Sequence, residues 1–280
     1  MQYIGNTEIV GKYIGDTEVQ KQYLGDTIIW EKPSVVEYTI YYKTTNNAVL
    51  TGGTPTIATN GYEIESNVYD STTGGTMVLS GPSAATPDLS IVFSGRSSLT
   101  EVSFGSGIEE IGAHSFDGCN GLLTVNFNKV KKLNDWAFGN CTLLTSVTWG
   151  DVEYIGDTCF YKGGLTSLDL RGTKVKTLIT AAFQECKFTS VILNDAITVV
   201  PERCFWMCSS NTAITFGSGL TEIGLSGCAY SYNLHIVIFT GENPPTTNAS
   251  ITPTSGTIYC PASAVSTYET WKASAGKFSG

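Results

Sequence analysis

Hydrophobic positions between residues 99 and 239 recur in an L-x-x-V-x-F frame. Its members are Leu99-Val102-Phe104, Leu122-Val125-Phe127, Leu144-Val147-Trp149, Leu165-Leu168-Leu170, Phe188-Val191-Leu193, Ile214-Phe216 and Leu234-Val237-Phe239, with a period of 21 to 23 residues. Inside each frame apolar residues alternate with polar ones, the period of a strand buried on one face. A second apolar pair and a ring follow each frame: Ile108, Ile111, Phe116; Val130, Leu133, Phe138; Val152, Ile155, Phe160; Val175, Leu178, Phe183; Ile197, Val200, Phe205. A sixth set, Leu220, Ile223 and Cys228, replaces the Phe. No such unit can bury both of its apolar edges alone. The pattern therefore predicts a mainly β solenoid of about seven stacked coils, with a parallel strand ladder as one face.

The flanks have other textures. A ten-residue repeat opens the chain, Tyr3-Ile4-Gly5-Asn6-Thr7, Tyr13-Ile14-Gly15-Asp16-Thr17 and Tyr23-Leu24-Gly25-Asp26-Thr27, and Pro33 closes it. Gly-Asn or Gly-Asp between short apolar runs is hairpin-turn chemistry, because Gly supplies the positive φ. Isolated hairpins are marginal in water, so residues 1–33 read as an assembly or attachment module, with Tyr3, Tyr13, Tyr23, Asp16 and Asp26 as candidate contacts. A self-contained cap of the solenoid is the competing reading. Residues 34–95, with alternating runs such as Val36 to Tyr41 and Met77 to Leu79, suit an irregular β cap before the solenoid of 96–240. From Gly241-Glu242-Asn243-Pro244-Pro245 onward the repeat breaks, and Thr257 to Ala262 with Val265 to Trp271 predicts a last strand and a short helix, a carboxy-terminal cap over 241–280. Ile236 and Ile238 fall on outward positions of the last frame and are expected to be covered by this segment or by a partner.

Charge narrows the partners. Lys plus Arg number 16 against 25 for Asp plus Glu, and a net charge of −9 repels nucleic acid and anionic membrane surfaces. No run reaches the roughly eighteen apolar residues that span a bilayer, and the first residues hold no signal-peptide core, so the amino terminus is expected to be mature as it stands.

Chemistry is sparse. Cys119, Cys141, Cys186 and Cys208 share one column, and Cys159 and Cys204 stand where other coils have Ala137 and Ala182; all read as small reduced core residues. There is no C-x-x-C pair, and His114 and His235 lie about five coils apart. Glu109-Glu110 sits between two inward isoleucines and reads as a solvated edge. No catalytic residue, metal ligand or cofactor is therefore expected, and the chain reads as non-enzymatic. Outward strand positions form two rows, Glu101, Thr124, Ser146, Ser167, Ser190, Ala213 and Ser103, Asn126, Thr148, Asp169, Ile192, Thr215, either plain solvated sheet or a flat docking face. Trp136, Tyr161 and Trp206 fall at or beside coil corners, with Tyr230 and Tyr232 further along; they are the candidate binding surface for a sugar or protein, corner packing being the alternative.

The coils resemble the BspA-like leucine-rich-repeat family, which reads roughly L-T-S-V-x-F and then V-x-x-I-G-x-x-A-F-x-x-C. Leu144-Thr145-Ser146-Val147-Thr148-Trp149 carries the first part, and Ile111-Gly112 through Phe116 to Cys119 the second. The resemblance extends over about residues 36–272, including Asn67-Val68-Tyr69-Asp70 and the closing Asn243-Pro244-Pro245-Thr246 and Ile258 to Val265. Gly163 and Ser231 depart from its Cys column and Cys228 from its Phe column. It implies a leucine-rich-repeat solenoid that works by presenting a surface. The leading Tyr-Leu-Gly-Asp-Thr repeats look like short repeats at the start of structural proteins of tailed phages and prophages. Together the two resemblances imply a structural protein on the exterior of a phage particle, of tail-fibre, head-fibre or decoration type. Its partners would be other virion proteins, further copies of itself, or a host-surface glycan or protein, with no membrane insertion. A bacterial cell-surface adhesin of the same repeat family is the alternative.

Overall fold

The computed structural model describes residues 13–14, 17–18, 21–24, 27–31, 35–50, 63–82, 93–247 and 256–275. Two hairpins come first. Strand β1 (Tyr13–Ile14) pairs antiparallel with β2 (Thr17–Glu18), and β3 (Lys21–Leu24) with β4 (Thr27–Glu31). Gly15-Asp16 and Gly25-Asp26, where the decapeptide pattern expects the turns, lie outside the described residues. The first decapeptide, with Tyr3, lies outside the described residues.

The cap is an antiparallel sheet of β5 (Val35–Thr44), β6 (Glu63–Asp70) and β7 (Gly74–Pro82), irregular through register shifts at Ile64/Ser66 and Lys43/Thr44. Its alternation buries Tyr38, Ile40, Tyr42, Met77 and Leu79, which continue the core of the coils.

Seven coils follow, each with a first strand from the apolar frame and a short second strand. The first four hold β8 (Leu99–Phe104) and β9 (Glu110–Ile111), β10 (Thr124–Asn126) and β11 (Lys132–Leu133), β12 (Ser146–Thr148) and β13 (Tyr154–Ile155), then β14 (Ser167–Asp169) and β15 (Thr177–Leu178). The last three hold β16 (Ser190–Ile192) and β17 (Val199–Val200), β18 (Ala213–Phe216) and β19 (Glu222–Ile223), then β20 (Ile236–Phe239) and β21 (Thr246–Thr247). Successive first strands pair parallel and in register, so that Val102, Val125 and Val147 align, as do Val191, Ile214 and Val237. Strand pairing lapses between β12 and β14, in the third coil, where the frame spacing from Leu144 to Leu165 is the shortest. The antiparallel pairing of β5 with β8 joins cap to coils in one six-stranded sheet.

A column of rings runs along the core. Phe93, Phe116, Phe138, Phe160, Phe183 and Phe205 are buried and stack one on the next, with centroids 4.9 to 5.8 Å apart and planes within 2° to 11° of parallel. Phe93 starts this column inside the stretch that the sequence pattern assigns to the cap.

At the far end β22 (Thr257–Tyr259) adds a parallel strand beside β20, and α1 (Val265–Ala275) sets Tyr268 and Trp271 against Phe239, with centroids 5.1 and 5.6 Å from it. The Tyr268 hydroxyl donates to the carbonyl of Gly241 or Asn243, each 3.1 Å away. The described part of the closing segment thus covers the open end of the core, with β22 extending the sheet beside β20. Ile236 and Ile238 are half-buried because neighbouring strands flank them, with Thr257 and Tyr259 on one side and Ala213 and Thr215 on the other. Among the described residues, no helix is long and apolar enough to cross a membrane.

Candidate functional site

The first six coils turn back through two left-handed residues, two positions before and two after the column Phe, or Cys228 in the sixth; in the first coil the trailing residue is Gly118. His114, Trp136, Thr158, Ala181, Arg203 and Ser226 form the leading set at φ of 54° to 58°, and Asn140, Lys162, Glu185, Met207 and Tyr230 the trailing set at 55° to 59°. A side chain at positive φ is strained, and a third inter-coil ladder offsets that strain. Trp136, Phe138 and Asn140 donate their backbone N–H groups to the carbonyls of Asp157, Cys159 and Tyr161 in the next coil at 2.9, 2.8 and 2.7 Å, and the first, third, fourth and fifth coils repeat the arrangement. The corners of the first five coils are therefore rigid mounts for whatever side chains stand on them.

The five candidate aromatics stand at or beside these corners, in two groups. Trp136 stacks on His114 (5.8 Å, 12°) and meets Tyr161 edge-on at 5.2 Å, while Lys162 Nζ lies 4.9 Å from the Tyr161 ring. Trp206 meets Tyr230 edge-on at 5.8 Å, and Tyr230 meets Tyr232 at 6.0 Å. Trp136, Tyr161 and Trp206 are half-buried, whereas Tyr230 is 48% and Tyr232 73% exposed. Among the described residues no ring contact joins the two groups, so the aromatics make two patches rather than one surface. His114 belongs to the first patch, a role its isolation from His235 did not suggest. Of the candidate assembly residues, Tyr13 and Tyr23 lie on β1 and β3, opposite Glu18 and Ile28. Tyr3, Asp16 and Asp26 lie outside the described residues.

The cysteine column has a polar task as well as a packing one. Cys119, Cys141, Cys186 and Cys208 each donate from Sγ to the carbonyl of the Phe one coil earlier, Phe93, Phe116, Phe160 and Phe183, at 3.0 to 3.3 Å. Ser231 donates to Phe205 O in the same way at 3.1 Å. A Cβ on Gly163 would sit 2.9 Å from Phe160 O, and glycine offers Phe138 no such donor. Every cysteine is a free thiol. Burial pushes Cys119 and Cys208 up to about 12 and raises Cys141, Cys159, Cys186, Cys204 and Cys228 as well, so these groups are protonated and not nucleophilic.

Charge alternates by coil along one edge. Glu109 and Glu110 pair with Lys131 and Lys132 of the next coil, at 2.8 and 2.9 Å. Asp151 of the third coil accepts from Lys129 on one side and Lys174 on the other, at 3.0 and 2.7 Å, and Glu153 pairs with Lys176. Hydrogen bonds from these lysines hold the Asp151 and Glu153 carboxyls below the usual range. Glu109 and Glu110 are thus rungs between coils. Among the described residues no group of three or more His, Cys, Asp or Glu could hold a metal ion.

Comparison with known proteins gives one family. A model described as BspA type leucine rich repeat region matches in six copies, over residues 89–173 and 145–249. Among solved structures, the chain is similar to a leucine-rich-repeat protein of T. pallidum, at 25% identity and a TM-score of 0.47 over 52% of this chain and 69% of that one. It is also similar to a leucine-rich-repeat protein of Bacteroides ovatus ATCC 8483 (18%, TM-score 0.40, 62% and 55% covered). A third is a leucine rich cell surface protein of Faecalibacterium prausnitzii A2-165 (16%, TM-score 0.23, 68% and 85% covered). No curated protein matches the chain.

Proposed function

Because the chain belongs to the BspA-type leucine-rich-repeat family, we propose that it is a non-enzymatic recognition protein whose coils present their surface to a macromolecular partner. The observation that carries this reading is the Trp206, Tyr230 and Tyr232 patch. Tyr230 stands between Trp206 and Tyr232 with edge-on contacts to both, Tyr232 is largely exposed, and rings already packed on one another lose little entropy on contact with a partner. In the finer form of the proposal the protein sits on the exterior of a phage particle. There residues 1–33 attach it to other virion proteins or to sister chains, and the coils face a host surface.

Mass spectrometry of purified virions and of host envelopes tests the location; presence in the host fraction alone would overturn the virion reading and favour a cell-surface adhesin. Sedimentation and virion incorporation of the full chain and of a chain starting at Ser34 test the module. The shorter chain is expected to fold and to lose attachment, and unchanged incorporation would refute that role. For the patch, Tyr232→Ala should weaken binding to the host surface or virion partner by about tenfold without moving the melting temperature.

A further inference from the structure

Tyr41 is half exposed on the outward face of β5, a strand of the cap. The antiparallel pairing of β5 with β8 sets it opposite Ser103, and the parallel ladder continues that row through Asn126 to Thr148. An aromatic ring from the cap therefore stands beside a row of small polar residues from the first three coils. A cleft of about 510 Å³ opens on one side, lined by Tyr41, Asn126, Asn128, Thr148 and the Lys129–Asp151 pair. A smaller one of about 230 Å³ is lined by Tyr41, Ser103, Thr124, Asn126 and the Lys43–Glu101 pair.

The charged groups of both clefts are already matched, Lys129 with Asp151 at 3.0 Å and Lys43 with Glu101 at 2.7 Å. Neither cleft offers net charge to an occupant. What remains is an aromatic wall above amides and hydroxyls. The amides are oriented in advance: Asn128 donates from Nδ2 to Phe104 O at 2.7 Å and to the Ser103 hydroxyl at 3.2 Å, and Asn126 Oδ1 accepts from Asn128 N at 3.2 Å. A ligand that fits must present an apolar face to a ring, exchange hydrogen bonds in both directions with amides and hydroxyls, and carry no charge. A sugar ring meets all three conditions, with its C–H face and its rim of hydroxyls. Tyr41 and Asn126 line both clefts, so a ligand that fills both has more than one ring.

We propose that the paired clefts about Tyr41 bind a neutral oligosaccharide, with Tyr41 packed against a sugar face and Asn126 bonding to it from between the clefts. The site is separate from the corner aromatics, so its test succeeds or fails independently of the reading above.

The test is saturation-transfer NMR on the full chain with maltotetraose, cellotetraose, N-acetylated chitotetraose and mannotetraose as probes. At least one probe should bind, and Tyr41→Ala should weaken it about tenfold or more. Tyr41→Phe should keep most of the affinity, since the ring is what packs. Thr148→Arg, a change at an exposed strand position that fills the larger cleft, should also weaken binding, and it keeps the proposal open to refutation if Tyr41→Ala does not fold. Tyr232→Ala should leave binding unchanged. No binding by any of the four at about 10 mM would overturn the site. So would binding that survives both Tyr41→Ala and Thr148→Arg, or that is lost with Tyr232→Ala.

Discussion

The Ser231 hydroxyl donates to the Phe205 carbonyl at 3.1 Å, in the place where Cys208 donates to Phe183 one coil earlier. A hydroxyl and a thiol fill one post because each is small and each supplies a proton to a buried carbonyl. Ser231→Ala should leave that carbonyl unpaired and destabilise the chain by about 1–3 kcal/mol, whereas Ser231→Cys should cost less. Urea unfolding of the two variants checks this, and equal midpoints would show that the column needs only bulk.

Phe160 stacks between Phe138 and Phe183, with centroids 5.5 and 5.4 Å away. Phe160→Ala removes a fully buried ring shared by two neighbours and should cost about 3–5 kcal/mol. A melt within about a degree of the parent would contradict its place in the column.

Seven of the eight cysteines are buried, and burial raises their ionisation above the ordinary thiol value. The unfolded chain gives up these protons near pH 9, whereas in the folded chain burial holds those of Cys119 and Cys208 to about 12 and raises the other five as well. Their contribution to stability is therefore whole below about pH 9 and is lost as the pH rises from there. The melting temperature should fall over that range, and Cys→Ala changes in the column should flatten the fall. Native thiol titration should label these seven only after denaturation, and fast labelling of Cys141 or Cys186 in the folded chain would contradict the assignment.

Asn211 occupies the position that Leu144, Leu165, Phe188 and Leu234 fill in other coils, and its Oδ1 is buried without a partner. Asn211→Leu should stabilise the chain by about 1–3 kcal/mol, because an unmatched carbonyl leaves the core and a methyl pair enters a site shaped by leucines. A lower melting temperature would mean that the sixth coil has no room for the larger side chain.

The coils were legible because burial imposes a period on side chains, and Val125, Phe127 and Phe138 display it openly. Backbone demands leave a weaker mark. His114, Trp136, Thr158, Ala181 and Arg203 share one left-handed conformation yet no common chemistry, since inter-coil N–H bonds impose the dihedral whatever the side chain. Phe93 escaped the frame because no strand of a preceding coil leads into it. The two corner patches could not be separated from sequence, because His114 joins Trp136 only through the stacking of coils. Tyr41 reaches Ser103 through the pairing of β5 with β8, a register between strands about sixty residues apart that local pattern does not encode.

The alternating charges along the coil edge bear on how such a chain can grow. Glu109 and Glu110, then Lys131 and Lys132, then Asp151 and Glu153, then Lys174 and Lys176 place opposite signs in consecutive turns. Each exposed pair contributes little by itself, but like charges facing each other at several rungs together would cost more. Duplicating a single coil in this stretch sets Lys against Lys or Glu against Glu, whereas duplicating two restores every match. Lengthening this region by an even number of coils would keep its electrostatic register, whereas an odd insertion would set like charges against each other.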